Sequence, residues 1–383
     1  MERVFIFCDN FQIGGIQRLT LDQAYYLNSI GVETLIIVLG ERPDSHTPSF
    51  LFLEESLIKS LGLDFVFVQG GKFSQFFKIL KLMNGKKNTL AICHSLRATV
   101  LIFFARIFSK NRIRSVTTIH QLLSMSAPVQ RIRRILYSQF SDQLFGYSVA
   151  VIDDWNYRRN HNPFICLISS RRKIALCRNG VYLPRLYFDS QNQRLENFKI
   201  ERLLFINRIT SWKGLSTFLE LLKNPKFNGL KIMIMTPTDP ESFLTSLSPE
   251  VRHRIQKVIG KSVSQIDFAP GDLHLYPANY GETSKYVEGV SINVLELASL
   301  GVRSIVTEKG LSTWPDLVSL GIVKATDWNK INDVENSIKE CESELDVEKI
   351  MLARDIVDVK NNLLTLLAKM SPDICLRIEL IAK

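Results

Sequence analysis

Apolar residues in this chain gather in short unbroken runs: RVFIFC at 3–8, ETLIIVL at 33–39, DFVFV at 64–68, TLAIC at 89–93, RSVTTI at 114–119 and FGYSV at 145–149. Between them the apolar positions recur at the three-to-four-residue spacing of amphipathic helices, over 15–30, 73–83, 95–108 and 128–139. Runs of that length, rich in β-branched and aromatic residues, predict strands buried on both faces, and the alternation with helices predicts βαβ units around a parallel sheet. A second series opens near 201 with RLLFI (202–206), GLKIMIM (229–235), DLHLYP (272–277) and VRSIVT (302–307), interleaved with helices over 213–223 and 290–300. The polar stretch YFDSQNQRLENF (187–198) has no hydrophobic period and separates the two series. The expected organisation is an N-terminal Rossmann-like domain over 1–186, a linker over 187–200, a C-terminal Rossmann-like domain over 201–345, and a helical segment over 346–383 that packs back on the first domain.

A chain of 383 residues with 46% hydrophobic composition has material for two cores. Its six cysteines form no CxxC pair and no metal-ligand spacing, so neither a disulfide framework nor a zinc site is predicted. The N-terminal MERVFIFCDN lacks the basic start and long apolar run of a signal peptide and reads as a first strand. The apolar stretch 98–108 is too short to span a membrane and is broken by Arg106. These features point to a cytoplasmic protein, peripheral on the inner face of the membrane.

Charge sharpens that reading. Residues 1–190 carry 24 Lys and Arg against 13 Asp and Glu, whereas 191–383 carry 24 against 25. Thirteen basic residues and no acidic one lie between Asp64 and Asp142. Such a field suits an anionic partner. The segment 73–83 places Phe73, Phe76, Phe77 and Leu80 on one helical face and Gln75, Lys78 and Lys81 on another, as an interfacial helix does; a core-facing helix with a solvated back has the same pattern. With Lys86 and Lys87 close behind, Lys78 and Lys81 are the candidate contacts to an anionic membrane surface or acceptor.

Candidate chemistry sits where the strands end. Gly14-Gly15 follows the first strand and opens a helix, which serves either as a plain turn or as a close approach to a diphosphate. Arg208 and Lys213 follow the strand 202–206, where open α/β sheets bind ligands, and two cations there can neutralise a departing phosphate; two solvated loop charges are the alternative. Glu288 and Glu296, seven residues apart, flank the start of an apolar helix whose backbone amides near Val290 and Ser291 can face phosphate. His94 and His120 each end a strand, a position open to ligand contact or to purely structural pairing. No carboxylate pair of the metal-binding type ends a strand, so no metal or other cofactor is expected. A nicotinamide dehydrogenase is disfavoured because no GxGxxG is present. A nucleic-acid-binding protein would use the same charge, but no RNP-like motif accompanies it; nucleic acid is not the expected partner.

Taken in order, Gly14-Gly15, TTIHQ, RNGVYLP, NRITSWKGL and EGVSINVLELASLG resemble the family 4 retaining glycosyltransferases. The resemblance runs over most of 4–325. It implies an α/β chain of GT-B architecture, two Rossmann-like domains facing a central cleft, that moves a sugar from a nucleotide diphosphate such as a UDP- or GDP-sugar to a lipid-linked or cell-envelope glycan acceptor. It assigns the donor diphosphate to Arg208 and Lys213, to which the helix starts at Gly15 and at Val290 and Ser291 add backbone contacts, the ribose to Glu296, and the sugar near the reacting carbon to His120 and Glu288. Asn207, where that family usually has glycine, is a departure. A GT-B epimerase or phosphorylase is the nearest enzymatic alternative.

Overall fold

The computed structural model describes residues 3–10, 14–40, 62–84, 88–109, 112–120, 126–160, 174–186, 199–210, 212–278, 291–343, 345–368 and 370–381. The chain forms two compact units, one of Met1–Tyr182 with Val359–Lys383 and one of Leu183–Asp358. Most of the expected linker, 187–198, lies outside the described residues.

The first unit is a seven-stranded sheet of β1 (Arg3–Cys8), β2 (Thr34–Val38), β3 (Asp64–Phe67), β4 (Asn88–Cys93), β5 (Arg112–Ile119), β6 (Gln143–Gly146) and β7 (Ala175–Leu176), in the order β3-β2-β1-β4-β5-β6-β7. Every pairing is parallel. The continuous apolar runs are explained by burial on both faces. Val4, Ile6 and Cys8 pack with Leu21 and Leu27 of the helix Gly15–Ser29 and with Leu363, Leu366 and Ile378 from the end of the chain. Phe5 and Phe7 point the other way, against Ile79, Met83, Leu101 and Ile102 of the helices Lys72–Met83 and Leu96–Phe108. Of the segment 346–383, the helix Val347–Val357 belongs to the second unit, and the helices Val359–Leu367 and Pro372–Ile381 to the first.

The second unit holds a six-stranded parallel sheet of β8 (Arg202–Ile206), β9 (Lys231–Thr236), β10 (Ile255–Ile259), β11 (Asp272–Tyr276), β12 (Arg303–Thr307) and β13 (Val323–Thr326), in the order β10-β9-β8-β11-β12-β13. At its N-terminal edge, Arg202 donates through Nε and Nη2 to the two carboxylate oxygens of Asp272 at 2.6 and 2.5 Å, pinning β8 to β11. That hydrogen-bonded pairing raises the Arg202 pKa.

In both sheets the strand order reverses once, between β1 and β4 and between β8 and β11. A crevice beyond the C-terminal strand ends at such a reversal is where open α/β sheets bind ligands.

Candidate functional site

In the second unit the reversal point is built around Lys213. Gly214 has a left-handed φ of +78°, and a Cβ there would stand 1.7 Å from the Pro277 carbonyl oxygen just past β11. Only glycine lets the loop after β8 cross so close to the end of β11. The crossing brings Lys213 inward: it is 4% exposed, its Nζ donates to the Tyr276 hydroxyl at 2.8 Å, and the same Nζ stands 4.2 Å from the Trp212 ring centre and 5.2 Å from that of Tyr276. Two aromatic faces and a phenol oxygen stabilise a desolvated ammonium.

Behind Tyr276 the buried His274 stacks on its ring at 6.1 Å, with Nδ1 3.0 Å from the Ser304 hydroxyl. Its Nε2 has no partner among the described residues. A bare lone pair is easier to bury than an unpaired N–H, so the ring proton belongs on Nδ1. Burial lowers the His274 pKa to about 3.

The helix Ile292–Ser299 follows β11, and Asn293 in its first turn donates to the Ile206 carbonyl at 2.9 Å, tying that turn to the end of β8. Glu296, one turn on from Asn293, is buried; Ser291 is the half-buried residue at which the helix starts. Arg208 is exposed two residues past β8. Lys213, Glu296, Ser291 and Arg208 thus attach to the C-terminal ends of the two neighbouring strands β8 and β11. Glu288 and Val290 lie outside the described residues. Asn207, the departure noted in the sequence, is buried and its Nδ2 has no partner among the described residues; the Thr210 hydroxyl shares that condition. Two buried donors left over beside a buried cation suit a polyanionic ligand.

In the first unit, Gly15 is exposed at the first position of its helix, after an extended Gly14. Across the reversal point Ser95 donates to Asp9 at 2.6 Å and caps the helix Leu96–Phe108. His120 is half-buried at the end of β5, stacked on Tyr147 with centroids 5.4 Å apart, and joined at Nε2 to Thr118 at 2.8 Å and to His94 at 3.1 Å. His94 is buried, and both rings stay neutral near pH 7 because burial lowers their pKa values, that of His120 to about 4. The sequence places His94 and His120 at strand ends; it does not show that Gln23 and Asn362 stand behind them.

No protein-family model matches this chain, and no curated protein matches it by sequence. Solved structures do match. HepE of Anabaena in complex with UDP superposes with a TM-score of 0.66 at 13% identity, over 97% of this chain and 100% of HepE. The lipopolysaccharide outer core galactosyltransferase WaaB gives 0.64 at 15% identity, over 97% of this chain and 100% of its own. A glycosyltransferase from Rickettsia africae gives 0.66 at 16% identity, over 99% and 98%. The fold is that of GT-B glycosyltransferases. Identities this low show a shared fold and leave residue roles to be argued from the site.

On the helix Lys72–Met83 the expected polar face divides. Lys78 and Lys81 are exposed, Lys78 donating to the Gln69 carbonyl at 3.0 Å, but Gln75 is buried. It donates to the Leu39 and Val68 carbonyls at 2.7 Å each, just past the ends of β2 and β3. Phe73 and Phe77, expected on the apolar face, are 83% and 63% exposed. Lys86 and Lys87 lie outside the described residues.

Proposed function

We propose that the protein is a retaining glycosyltransferase that takes a sugar from a UDP- or GDP-sugar and transfers it to a lipid-linked or cell-envelope glycan at an anionic membrane surface. The observation that carries this is the caged ammonium of Lys213 at the reversal point between β8 and β11, on a fold shared with structures solved with UDP.

In this reading Lys213 and Arg208 neutralise the donor diphosphate, with Asn207 and Thr210 as added donors and the amides near Val290 and Ser291 beyond them. Gly15 is assigned to the same diphosphate. Glu296 binds the ribose, and His120 and Glu288 bind the sugar. Fixed cations stabilise the charge that grows on the leaving phosphate, and that phosphate takes the acceptor's proton, so the reaction runs without a metal ion.

Membrane contact is supported by exposed aromatics beside cations. Phe73 and Phe77 are joined on the neighbouring helix by exposed Phe104, Ile107 and Phe108, with Phe76 and Phe108 in edge contact at 5.7 Å, next to Lys78 and Lys81. No described helix is long and apolar enough to cross a membrane; contact by an interfacial helix needs none.

The test is a screen of UDP- and GDP-sugars for release of free nucleoside diphosphate, with and without membrane lipid extract and with and without excess EDTA. Release stimulated by the extract and insensitive to EDTA is expected. No release from any donor, or turnover restored only by magnesium or manganese, contradicts the reading or its metal-free mechanism respectively.

A further inference from the structure

The buried polar side chains behind His120 form one continuous chain whose polarity is dictated at its far end. Asn362, on the helix Val359–Leu367, has its Nδ2 2.6 Å from the Arg178 carbonyl oxygen. A backbone carbonyl only accepts, so the amide nitrogen must face it and Asn362 Oδ1 must face Gln23. Gln23 then donates from Nε2 to that oxygen at 2.7 Å, which turns its own Oε1 to His94 Nε2 at 2.8 Å. An oxygen acceptor there requires the His94 proton on Nε2 and leaves Nδ1 as an acceptor. Thr118, 2.6 Å from that Nδ1, gives it the only hydroxyl proton it has. The Thr118 oxygen can therefore only accept from His120, whose Nε2 lies 2.8 Å away and must carry the ring proton. The reverse polarity would set the Asn362 oxygen against the Arg178 carbonyl oxygen, a pairing with no proton in it.

We propose that this chain, running from the Arg178 carbonyl through Asn362, Gln23, His94 and Thr118, locks His120 as its Nε2–H tautomer and makes Asn362 and Gln23 positioning residues for it. The consequence lies at the opposite ring nitrogen. His120 Nδ1 has no hydrogen-bond partner among the described residues, and in this tautomer it holds a lone pair, so His120 accepts from a ligand hydroxyl and does not donate to a ligand oxygen. That the hydroxyl belongs to a sugar rests on the transfer reading above; the tautomer does not. The Tyr147 stack fixes the ring plane, and Gln23 and Asn362 are 0% and 5% exposed, so water does not compete along the chain.

The experiment is a long-range proton–nitrogen correlation spectrum of the full-length protein with nitrogen-15 in its histidines, near pH 7. His94 and His120 are assigned by loss of their signals in His94→Gln and His120→Gln. Both rings are expected in the Nε2–H form. Thr118→Ser should keep the His120 tautomer, as should Thr118→Val, because His94 Nδ1 lies 3.1 Å from His120 Nε2 and accepts from it directly. Gln23→Leu and Asn362→Leu, which remove the acceptor that fixes the His94 proton, should each convert it to a mixture. A proton on His120 Nδ1 in the unaltered protein overturns the proposal, as does an unchanged tautomer in both disruptive variants. If Asn362→Leu does not fold, the unaltered spectrum and Gln23→Leu decide alone. Added UDP-glucose should shift the Nδ1 resonance as an accepted hydrogen bond does; donor bound with no shift overturns the acceptor role. Absence of binding by every UDP- and GDP-sugar tried, with the expected tautomers, removes the transfer reading and leaves the chain standing.

Discussion

Lys213 donates to the Tyr276 hydroxyl at 2.8 Å, and this bond fixes a buried cation at the point where the second sheet reverses its strand order. The phenol orients the ammonium without neutralising it. Tyr276→Phe should therefore keep the charge and weaken nucleotide binding several-fold, whereas Lys213→Met should remove a charge-assisted contact of about 1.5–3 kcal/mol, tenfold or more in affinity. Equal losses in the two variants, measured by calorimetry, would show that Lys213 acts through packing.

Gly214→Ala should displace the Lys213 loop. The left-handed backbone alone costs a side-chain residue about 1–2 kcal/mol, and the added Cβ meets the Pro277 carbonyl carbon at 2.5 Å as well as its oxygen, so backbone must move. Loss of both melting temperature and nucleotide affinity is expected. Unaltered affinity would mean that the crossing does not position the cation.

Asp272→Ala separates fold from site. It strands Arg202 at the N-terminal edge of the sheet, away from the proposed ligand, and breaking a buried pair of this kind costs roughly 3–5 kcal/mol. Urea unfolding should show the loss, while nucleotide affinity of the folded variant stays unchanged. A selective loss of affinity would place function at the wrong end of β8 and β11.

The histidines give the stability a pH dependence of known sign. Below about pH 6.5 the unfolded chain protonates them, whereas burial holds His120 neutral down to about 4, His274 down to about 3, and His94 well below its ordinary value. Stability is thus present above pH 6.5 and falls as the pH drops toward 4, with His120 alone contributing about 1–2 kcal/mol of the loss between pH 7 and 5. Denaturant midpoints at those two pH values should differ less in His120→Gln than in the unaltered protein. An equal difference would contradict the buried neutral ring.

The interior strands were legible in the sequence because burial on both faces writes them as continuous apolar runs. Among the edge strands, β10 as IQKVI and β13 as VKAT were not legible, because one flank is unpaired and Gln256, Lys257 and Lys324 break the run. FGYSV places its strand too far along: β6 is Gln143–Gly146, because Ser148 serves to start the helix Val149–Asn160, accepting from Val151 through its hydroxyl. Within the site, Lys213 and Arg208 could be found by their place after a strand. The aromatic cage and the Gln23–Asn362 pair could not, since Tyr276 is 63 residues from Lys213 and Asn362 is 339 from Gln23. Spacing along the chain carries no sign of such partners.

Membrane contact predicts that changing Lys78, Lys81, Lys86 and Lys87 together to Glu releases the protein from anionic vesicles and leaves nucleotide binding intact. At roughly 1 kcal/mol for each cation near the surface, the loss should be a few kcal/mol at low ionic strength, and added salt should reproduce it. Phe73→Ser with Phe77→Ser should weaken binding with little change in its salt dependence. Co-sedimentation indifferent to lipid charge and to all of these substitutions would make this face an ordinary solvated surface.

The most direct test of the account is calorimetric titration of UDP, GDP and their sugars into the unaltered protein, Glu296→Gln and Lys213→Ala. The site at the β8 and β11 strand ends predicts that at least one nucleotide binds the unaltered protein, and that both variants remain folded by circular dichroism yet bind it at least tenfold more weakly. Affinity unchanged in both variants would contradict the assignment of the donor to this site, and no binding of any nucleotide by the unaltered protein would contradict the proposed function itself.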